Sequence, residues 1–590
     1  MSYSDNPRKV YGKVEIIYSD SDTEQVEGVD VIDNSLISHP DEVYKSYMVP
    51  SVKSCTMDGN SILDGTYQMM EDRSVIGWWG KELSKEDNTF ITPQTLTLKF
   101  KKRAIVSWLI IGDSLLNQHP VDFVLEFISD EKVISKEIVT KNTLVQYKIY
   151  KTLENITSIK ITITKWSNSN ACVKLLRFYD SLAETYDESC IKSFEVMEEM
   201  CSEDASYNIN SDSMNILLYN KDGKFTKGYL KNLLVLDRKV RPFIGIEKNG
   251  IIEYTSLGTF YSEEWKVEDD GRWLKCTAVD KLLRLQNKTY LGFTIDFGVS
   301  LYYIAEDILK KAGITKYEIS PLLLEIKVGD VFMEKMSVWD ALQEIANTGL
   351  CFIYIDRNDK LMIVSDFDEK ELSNIELSKD NMFSYTSNIS LTEFANRIIV
   401  EYAEVVISED ITEALNTSIT INANEEIELM IDYASEVAAA APIVNNANID
   451  IISFDSGTNA CKIKLKNKTD ITETANLIIT GPAIDITYKS IYVQDDESVR
   501  DFGMFEYSHP TCKFLQSKND ALRIANHLLK KLKAGEGTVT SIWRGNPELE
   551  LGKIYNCDKG PGEENTLICE SNKISYDGSL REETRGRKKS

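Results

Sequence analysis

His39, His119, His509 and His527 are the only imidazoles in the chain. A hydroxyl or thiol nucleophile needs such a base beside it at neutral pH. Three of the four precede proline (Pro40, Pro120 and Pro510), which holds them in extended or turn backbone rather than on helices. His527 lies inside an apolar helical pattern and reads as a structural histidine. The sequence has no His-Glu-x-x-His, Gly-x-Ser-x-Gly or Gly-x-x-x-x-Gly-Lys. Its 10 cysteines form no Cys-x-x-Cys, so their spacing gives neither a zinc site nor a disulfide framework, and they read as small buried side chains. Asn220-Lys221-Asp222-Gly223 has the outline of a calcium loop but lacks the further alternating acids and the bidentate glutamate. A pair of carboxylates could run glycoside hydrolysis. The clusters Glu263-Glu264 and Glu268-Asp269-Asp270 fall in a hairpin pattern, however, and read as solvated turn charges. No catalytic residue, metal site or cofactor site is assigned.

Gly112-Asp113-Ser114-Leu115 spells the tetrapeptide that names a lipase and esterase family. In that family a later Asp-x-x-His supplies the base and a Gly-x-Asn-Asp motif helps build the oxyanion hole. Here the residues three before each histidine are Leu36, Leu116, Glu506 and Ile524, and Gly-x-Asn-Asp is absent. The neighbouring strands do not alternate with helices, as an α/β hydrolase requires. The tetrapeptide therefore reads as a strand end and turn.

The elements around these residues are mostly strands. Leu96–Phe100, Phe123–Phe127 and Ile159–Thr164 alternate apolar and polar at period 2, which puts one set of side chains on a core face. Such runs fill residues 90–180 and predict a β-sandwich. From Trp265 to Cys276 the pattern is a hairpin, with Asp270-Gly271 at its turn. Two amphipathic helices follow. The first presents Tyr303, Ile304, Ile308, Leu309 and Ala312 and stops at Gly313; the second is capped by Ser337 and ends before Gly349. Cys351–Ile355 and Leu361–Val364 form a strand pair about the turn 356–359, and a third helix spans Ala521–Leu532. Val437–Pro442 reads as a packed connection.

At 590 residues the chain suggests about four domains. Lys+Arg 67 against Asp+Glu 93 leaves a net charge of −26, which argues against general nucleic-acid binding. The basic cluster Arg585, Arg587, Lys588 and Lys589 reads as a solvated tail. No apolar run reaches the roughly 18 residues of a membrane helix, and no signal pattern opens the chain, so folding in a reducing compartment is expected.

The ordered set of segments resembles the tail hub proteins of phages and prophages. It runs through Ser211–Phe225, Arg241-Pro242, Leu257–Tyr261, the 265–276 hairpin and Thr277–Leu283. It continues with Ile304–Leu309, Ser337–Ala346, Ala521–Ala525 and Pro547–Gly552. The front part is similar to an N-terminal discoidin or galactose-binding-like β-sandwich of such tail proteins, through Gly77–Ser84, Gln94–Phe100, His119–Phe123 and Lys165–Ser167. The resemblance implies a mainly β (α+β) chain. Its parts would be an N-terminal arm (1–60), the sandwich (61–185), a hub β-barrel (186–290), an α/β hub domain (291–400), a β-rich domain or insertion (401–505), and a closing helix and strands with the basic tail (506–590). It implies a non-enzymatic structural component of a phage or phage-derived bacteriocin tail: a baseplate hub or tail tip, trimeric, joining the tail tube to the spike. Its partners would be tail tube, spike and baseplate proteins; it would be made in the bacterial host cytoplasm and reside in the virion or tailocin. Many related tail-tip proteins carry a C-terminal peptidoglycan hydrolase or fibre, and neither pattern occurs before Ser590, so wall hydrolysis is the weaker expectation. A host cell-wall glycan is the alternative partner, and Trp78 and Trp79 in Gly77-Trp78-Trp79-Gly80, the most loop-like of the tryptophan segments, are the candidate glycan platform.

Overall fold

The structure is a computed structural model describing residues 8–18, 28–31, 77–113, 116–180, 183–200, 207–227, 234–248, 251–268, 271–295, 298–329, 331–388, 394–533, 538–558 and 564–588. It is mainly β, with four α-helices among the described residues. The chain divides into two compact units, one of Glu15–Tyr186 with Asp222–Val240, the other of Met1–Val14, Asp187–Lys221 and Arg241–Ser590.

The smaller unit is built on an antiparallel sheet ordered Gly28–Val31, Thr89–Ile111, Gln146–Trp166, Pro120–Ser129, Lys132–Val139. The alternation seen in the sequence sets its register. Leu96 lies opposite Ile161 and Ile161 opposite Leu125, while Leu98, Ile159 and Phe127 form the next row. All six are buried, so two apolar rows cross three strands and cover one face. A second, two-stranded layer, Trp78–Leu83 with Cys172–Leu175, adds Trp78, Val173 and Leu175 to the same core. The strands 120–129 and 132–139 turn through Asp130 and Glu131, whose φ values of 45° and 67° match the right-handed twist of a tight hairpin.

The central sheet of the larger unit is not consecutive in sequence. Phe260–Glu268, Trp273–Val279, Ser213–Tyr219 and Ile191–Glu199 lie side by side. Next to Ile191–Glu199 comes Glu564–Tyr576, followed by Leu580–Lys588, Thr538–Trp543 and Met382–Asn388. The 265–276 hairpin forms in register, Trp265 opposite Cys276, with Gly271 at φ +87°. The expected basic tail is instead a strand. Arg585 and Arg587 are buried and paired with Glu199 (3.4 Å) and Glu570 (2.6 Å), because Leu580–Lys588 has strands on both sides. Lys589 lies outside the described residues.

Helix α1 (Leu301–Lys311) buries Leu301, Ile304, Ala305, Ile308 and Leu309, whereas Tyr303 is 59% exposed. The spacing 301, 304, 305, 308 sets the inner face, and Tyr303 points away from it. Helix α2 (Val338–Gly349) is capped as expected, the Ser337 hydroxyl accepting from the Asp340 amide at 3.0 Å. Its end differs from the sequence reading. Leu350, not Gly349, takes the left-handed conformation (φ 49°), and Gly349 is needed for closeness: a Cβ there would meet Cys351 Sγ at 2.8 Å. Cys351–Ile355 pairs with Leu361–Ser365, and Tyr317–Ile319 adds in parallel.

Two long strands, Arg397–Ile421 and Glu473–Gln494, then run antiparallel over most of their length. At roughly 3.3 Å per residue they make a ribbon approaching 80 Å. Ile398 and Val400 at its root belong to the main core, while Ile421, Ile463, Leu465, Leu477 and Ile479 make a separate small core at its far part. Val437 and Ala438 are buried, but Ala439 and Ala441 are exposed and Ala441–Val444 pairs as a strand with Glu473–Gln494, so only the start of the expected packed connection is packed. Helix α3 (Asp496–Phe502), which the sequence reading omits, buries none of its residues; its signal was Asp495, whose carboxylate accepts from the Ser498 amide. Helix α4 (Lys518–Lys533) buries Ala521, Ile524, Ala525, Leu528 and Leu532.

Candidate functional site

The residues singled out in the sequence do not converge on chemistry. Ser114 and Leu115, like His39 and Cys55, lie outside the described residues. Asp113 is buried in the smaller unit, pairs with Lys174 at 3.1 Å and bridges to Gln118 just beyond the strand that ends at Ile111. Asn220 of the calcium-like segment donates its amide to the Gly271 carbonyl at 2.7 Å. Glu263 and Glu264 are exposed, as solvated charges should be. His509 is held by the Asn347 carbonyl at 3.0 Å, and burial pushes its pKa down to about 4, so it is neutral at physiological pH. No group of three or more His, Cys, Asp or Glu among the described residues is placed to hold a metal ion. Six of the eight described cysteines are buried.

The two candidate platform tryptophans separate. Gly77-Trp78-Trp79-Gly80 is strand rather than loop: Trp78 pairs with Leu175 and Trp79 with Lys174. Period 2 then sends Trp78 inward, 2% exposed, and leaves the part-buried Trp79 on the other face, with Lys174 Nζ 5.4 Å from its ring centre.

The unusual chemistry lies inside the larger unit, in two polar clusters. In the first, Asp366 Oδ2 accepts from the Tyr207 hydroxyl (2.6 Å) and from Lys531 Nζ (2.9 Å), with His527 Nε2 at 3.0 Å. Burial works against the charge on Asp366. The Lys531 ammonium and the hydrogen bonds outweigh it and hold the carboxyl well below the usual range. Phe367 packs on His527 with ring centres 4.3 Å apart. An open cleft of about 530 Å³ lies beside this cluster, lined by Lys370, Lys530, Lys531 and Lys588 among others.

The second cluster follows inward-facing strand positions. Phe194, Val196 and Met200 alternate inward on one strand, and Glu198 falls in the same row. Leu580, Glu582, Thr584 and Gly586 do so on the closing strand, and Glu570, Asn572, Ile574 and Tyr576 on its neighbour. Arg357 reaches Glu198 with two nitrogens at 2.5 and 2.6 Å. Asp212 and Asp280 are buried at adjoining strand ends, the Asp280 carboxylate accepting from Ser211 (2.7 Å) and from the amides of Asp212 and Leu282. Burial raises both, Asp280 to about 6. A cleft of about 430 Å³ opens beside Glu198 and Arg357 and is flanked by Glu318, Tyr354 and Glu550. Apart from Glu582, these charges are engaged by neighbours on the chain. The arrangement ties distant segments together and offers no free nucleophile with a base. The inward register of Glu198, Glu570 and Glu582 was the only sequence signal for this cluster, because its partners come from separate segments.

No protein-family model matches the sequence, and no curated protein does. Solved structures to which the chain is similar include tail proteins. Prophage MuSo2 43 kDa tail protein from Shewanella oneidensis shares 9% identity at a TM-score of 0.39, covering 68% of this chain and 95% of that one. A tail protein from Neisseria meningitidis MC58 shares 10% at 0.39, over 69% and 94%. Prophage tail protein gp18 from Listeria monocytogenes EGD-e shares 11% at 0.36, over 69% and 92%.

Proposed function

We propose that the chain is a structural component of a phage or phage-like tail, acting as the hub or tail tip that joins the tail tube to the spike or receptor-binding apparatus. The observation that carries the reading is the placement of the hub-like sequence segments. Ser213–Tyr219 and the 265–276 hairpin lie in one sheet with the closing strands 564–576 and 580–588, and Pro547–Gly552 is stapled against the Arg357 turn. Such closure by distant segments suits a part that bears load. Buried charges paired across distant segments, Glu198 with Arg357 and Glu570 with Arg587, suit it better than catalysis. The expected assembly is a homotrimer, and its neighbours are tail tube, spike and baseplate proteins.

Light scattering coupled to size exclusion tests this first, followed by co-purification with tail tube and spike proteins. A species near three times 67.1 kDa that retains both partners is expected. A monomer that retains neither overturns the reading. A second role, glycan binding by the smaller unit, rests on the outward face of Trp79. Trp79→Ala should then abolish glycan-array signal while leaving the unit folded, and an array blank for the wild type removes that role.

A further inference from the structure

The inner row of the closing strand Leu580–Lys588 contains one acid that its surroundings leave uncompensated. Glu582 is 0% exposed, and neither carboxyl oxygen makes a hydrogen bond among the described residues. Arg357, on the turn after Cys351–Ile355, is the cation that faces it. Its guanidinium is already committed to Glu198 and to the carbonyls of Pro547 and Leu549. From the 544–552 loop, the Asn546 backbone amide faces the carboxyl, and Gly545 sits so close that a Cβ there would fall 2.8 Å from Glu582 Cγ. Arg8 faces it too while bonding the Arg544 and Gly545 carbonyls of the same loop. Two other acids share the field of Arg357: Glu550, partly exposed and paired with Lys553, and Asp212, whose carboxyl burial pushes up. The next inward side chain, Thr584, is engaged with Trp543 and Asn572.

Arg357 thus faces two buried carboxyls, and its side-chain ion pair goes to Glu198. An ionised Glu582 would be a second buried negative charge, faced only by one backbone amide and by guanidiniums whose hydrogen bonds go elsewhere. Burial accordingly pushes its pKa up to about 7, even though the Asn546 amide and Arg357 pull the other way.

We propose that Glu582 is a proton-operated latch on the 544–552 loop. Protonated, the neutral carboxyl lies quietly beneath the loop. Ionised, with its proton passed to water, it drives the loop off the closing strand and loosens that edge of the sheet. The latch is a property of this unit whatever the chain assembles with.

The test compares the full-length wild type with Glu582→Gln, which copies the protonated acid. The difference in Tm should be smallest below about pH 4.5, grow by several degrees in favour of Glu582→Gln as pH rises to about 7, and level off above that. Taking the difference cancels His509 and Asp280, which titrate in both proteins. In the wild type, amide exchange over 544–552, corrected for intrinsic rate, should lose at least tenfold protection between about pH 6 and pH 8.5, while 351–365 keeps its own. A Tm difference that does not change with pH overturns the latch. Loop protection that does not change overturns it as well, and that readout stands even if the variant fails to fold.

Discussion

Arg357 serves Glu198 and two backbone carbonyls at once, so its loss should be felt at all of them. Removing one partner of a buried pair leaves the other charge stranded, at a cost of about 3–5 kcal/mol. Arg357→Ala should lower the unfolding free energy by that order, and Arg357→Met combined with Glu198→Gln by clearly less, as chemical denaturation would show. Near-equal losses would mean that the pair adds stability in its own right. In the smaller unit the same scale separates two neighbouring tryptophans. Trp78→Ala empties a core position and should cost about 3–5 kcal/mol, whereas Trp79→Ala on the other face should cost less than about 1 kcal/mol. Thermal unfolding of the two variants would check this.

At the scale of elements, caps and faces decide more than composition does. Ser337→Ala removes the one side-chain acceptor at the start of α2 and should cost about 1 kcal/mol. Tyr303→Ser, on the outer face of α1, should stay within about 0.5 kcal/mol of wild type. Urea midpoints at constant slope would separate the two. Both helices, the Ser337 cap of α2 and the Gly313 stop of α1 were legible because period 3.6, a Ser-x-x-Asp start and a trailing glycine are local signals. Tyr303 was misplaced because a Tyr-Tyr-Ile run fits two neighbouring faces, and only packing against the sheet chooses between them. Gly349 was misread because glycine serves close approach as readily as it serves a left-handed cap. The strand rows of the smaller unit were readable for the opposite reason: Leu96, Leu98, Phe123, Leu125, Phe127, Ile159 and Ile161 alternate without interruption. The buried charges were not readable as a site, since pairing across hundreds of residues leaves no spacing to find. The same blindness turned Arg585 and Arg587 into a supposed tail.

For the molecule as a whole, the long ribbon and the titrating interior set the broad behaviour. The main core uses the ribbon only near its root, through Ile398, Val400, Ile491 and Val493. Joining Ile407 to Ile484, which face each other in the ribbon, through a two-residue turn should therefore leave α1, α2, α4 and the central sheet intact. An unchanged exchange pattern in those elements would show it; a collapse of α4 protection would refute it. The pH response has opposing parts. His509 is depressed to about 4, so its contribution is present above the unfolded value and lost as pH falls from about 6.5 toward 4. Asp366 is also depressed, and its contribution disappears only at still lower pH. Asp280 and Glu582 are raised to about 6 and about 7, so theirs is present below the unfolded carboxyl value and fades as pH climbs through those values. The wild-type stability curve should accordingly be shallow across mild acid and fall on both sides, steeply only in strong acid.

The order of strands in the central sheet also governs when that sheet can exist. Ile191–Glu199 finds its second neighbour only in Glu564–Tyr576, and more than three hundred residues must leave the ribosome in between. At ordinary rates of synthesis that is a wait of roughly 20 to 70 s, during which the first half of the sheet stands with an open edge. The smaller unit's main strands are finished long before, so a growing chain is half ready and half waiting. A product broken off early would keep that edge unpaired, marking it for chaperones and proteases before it could enter an assembly.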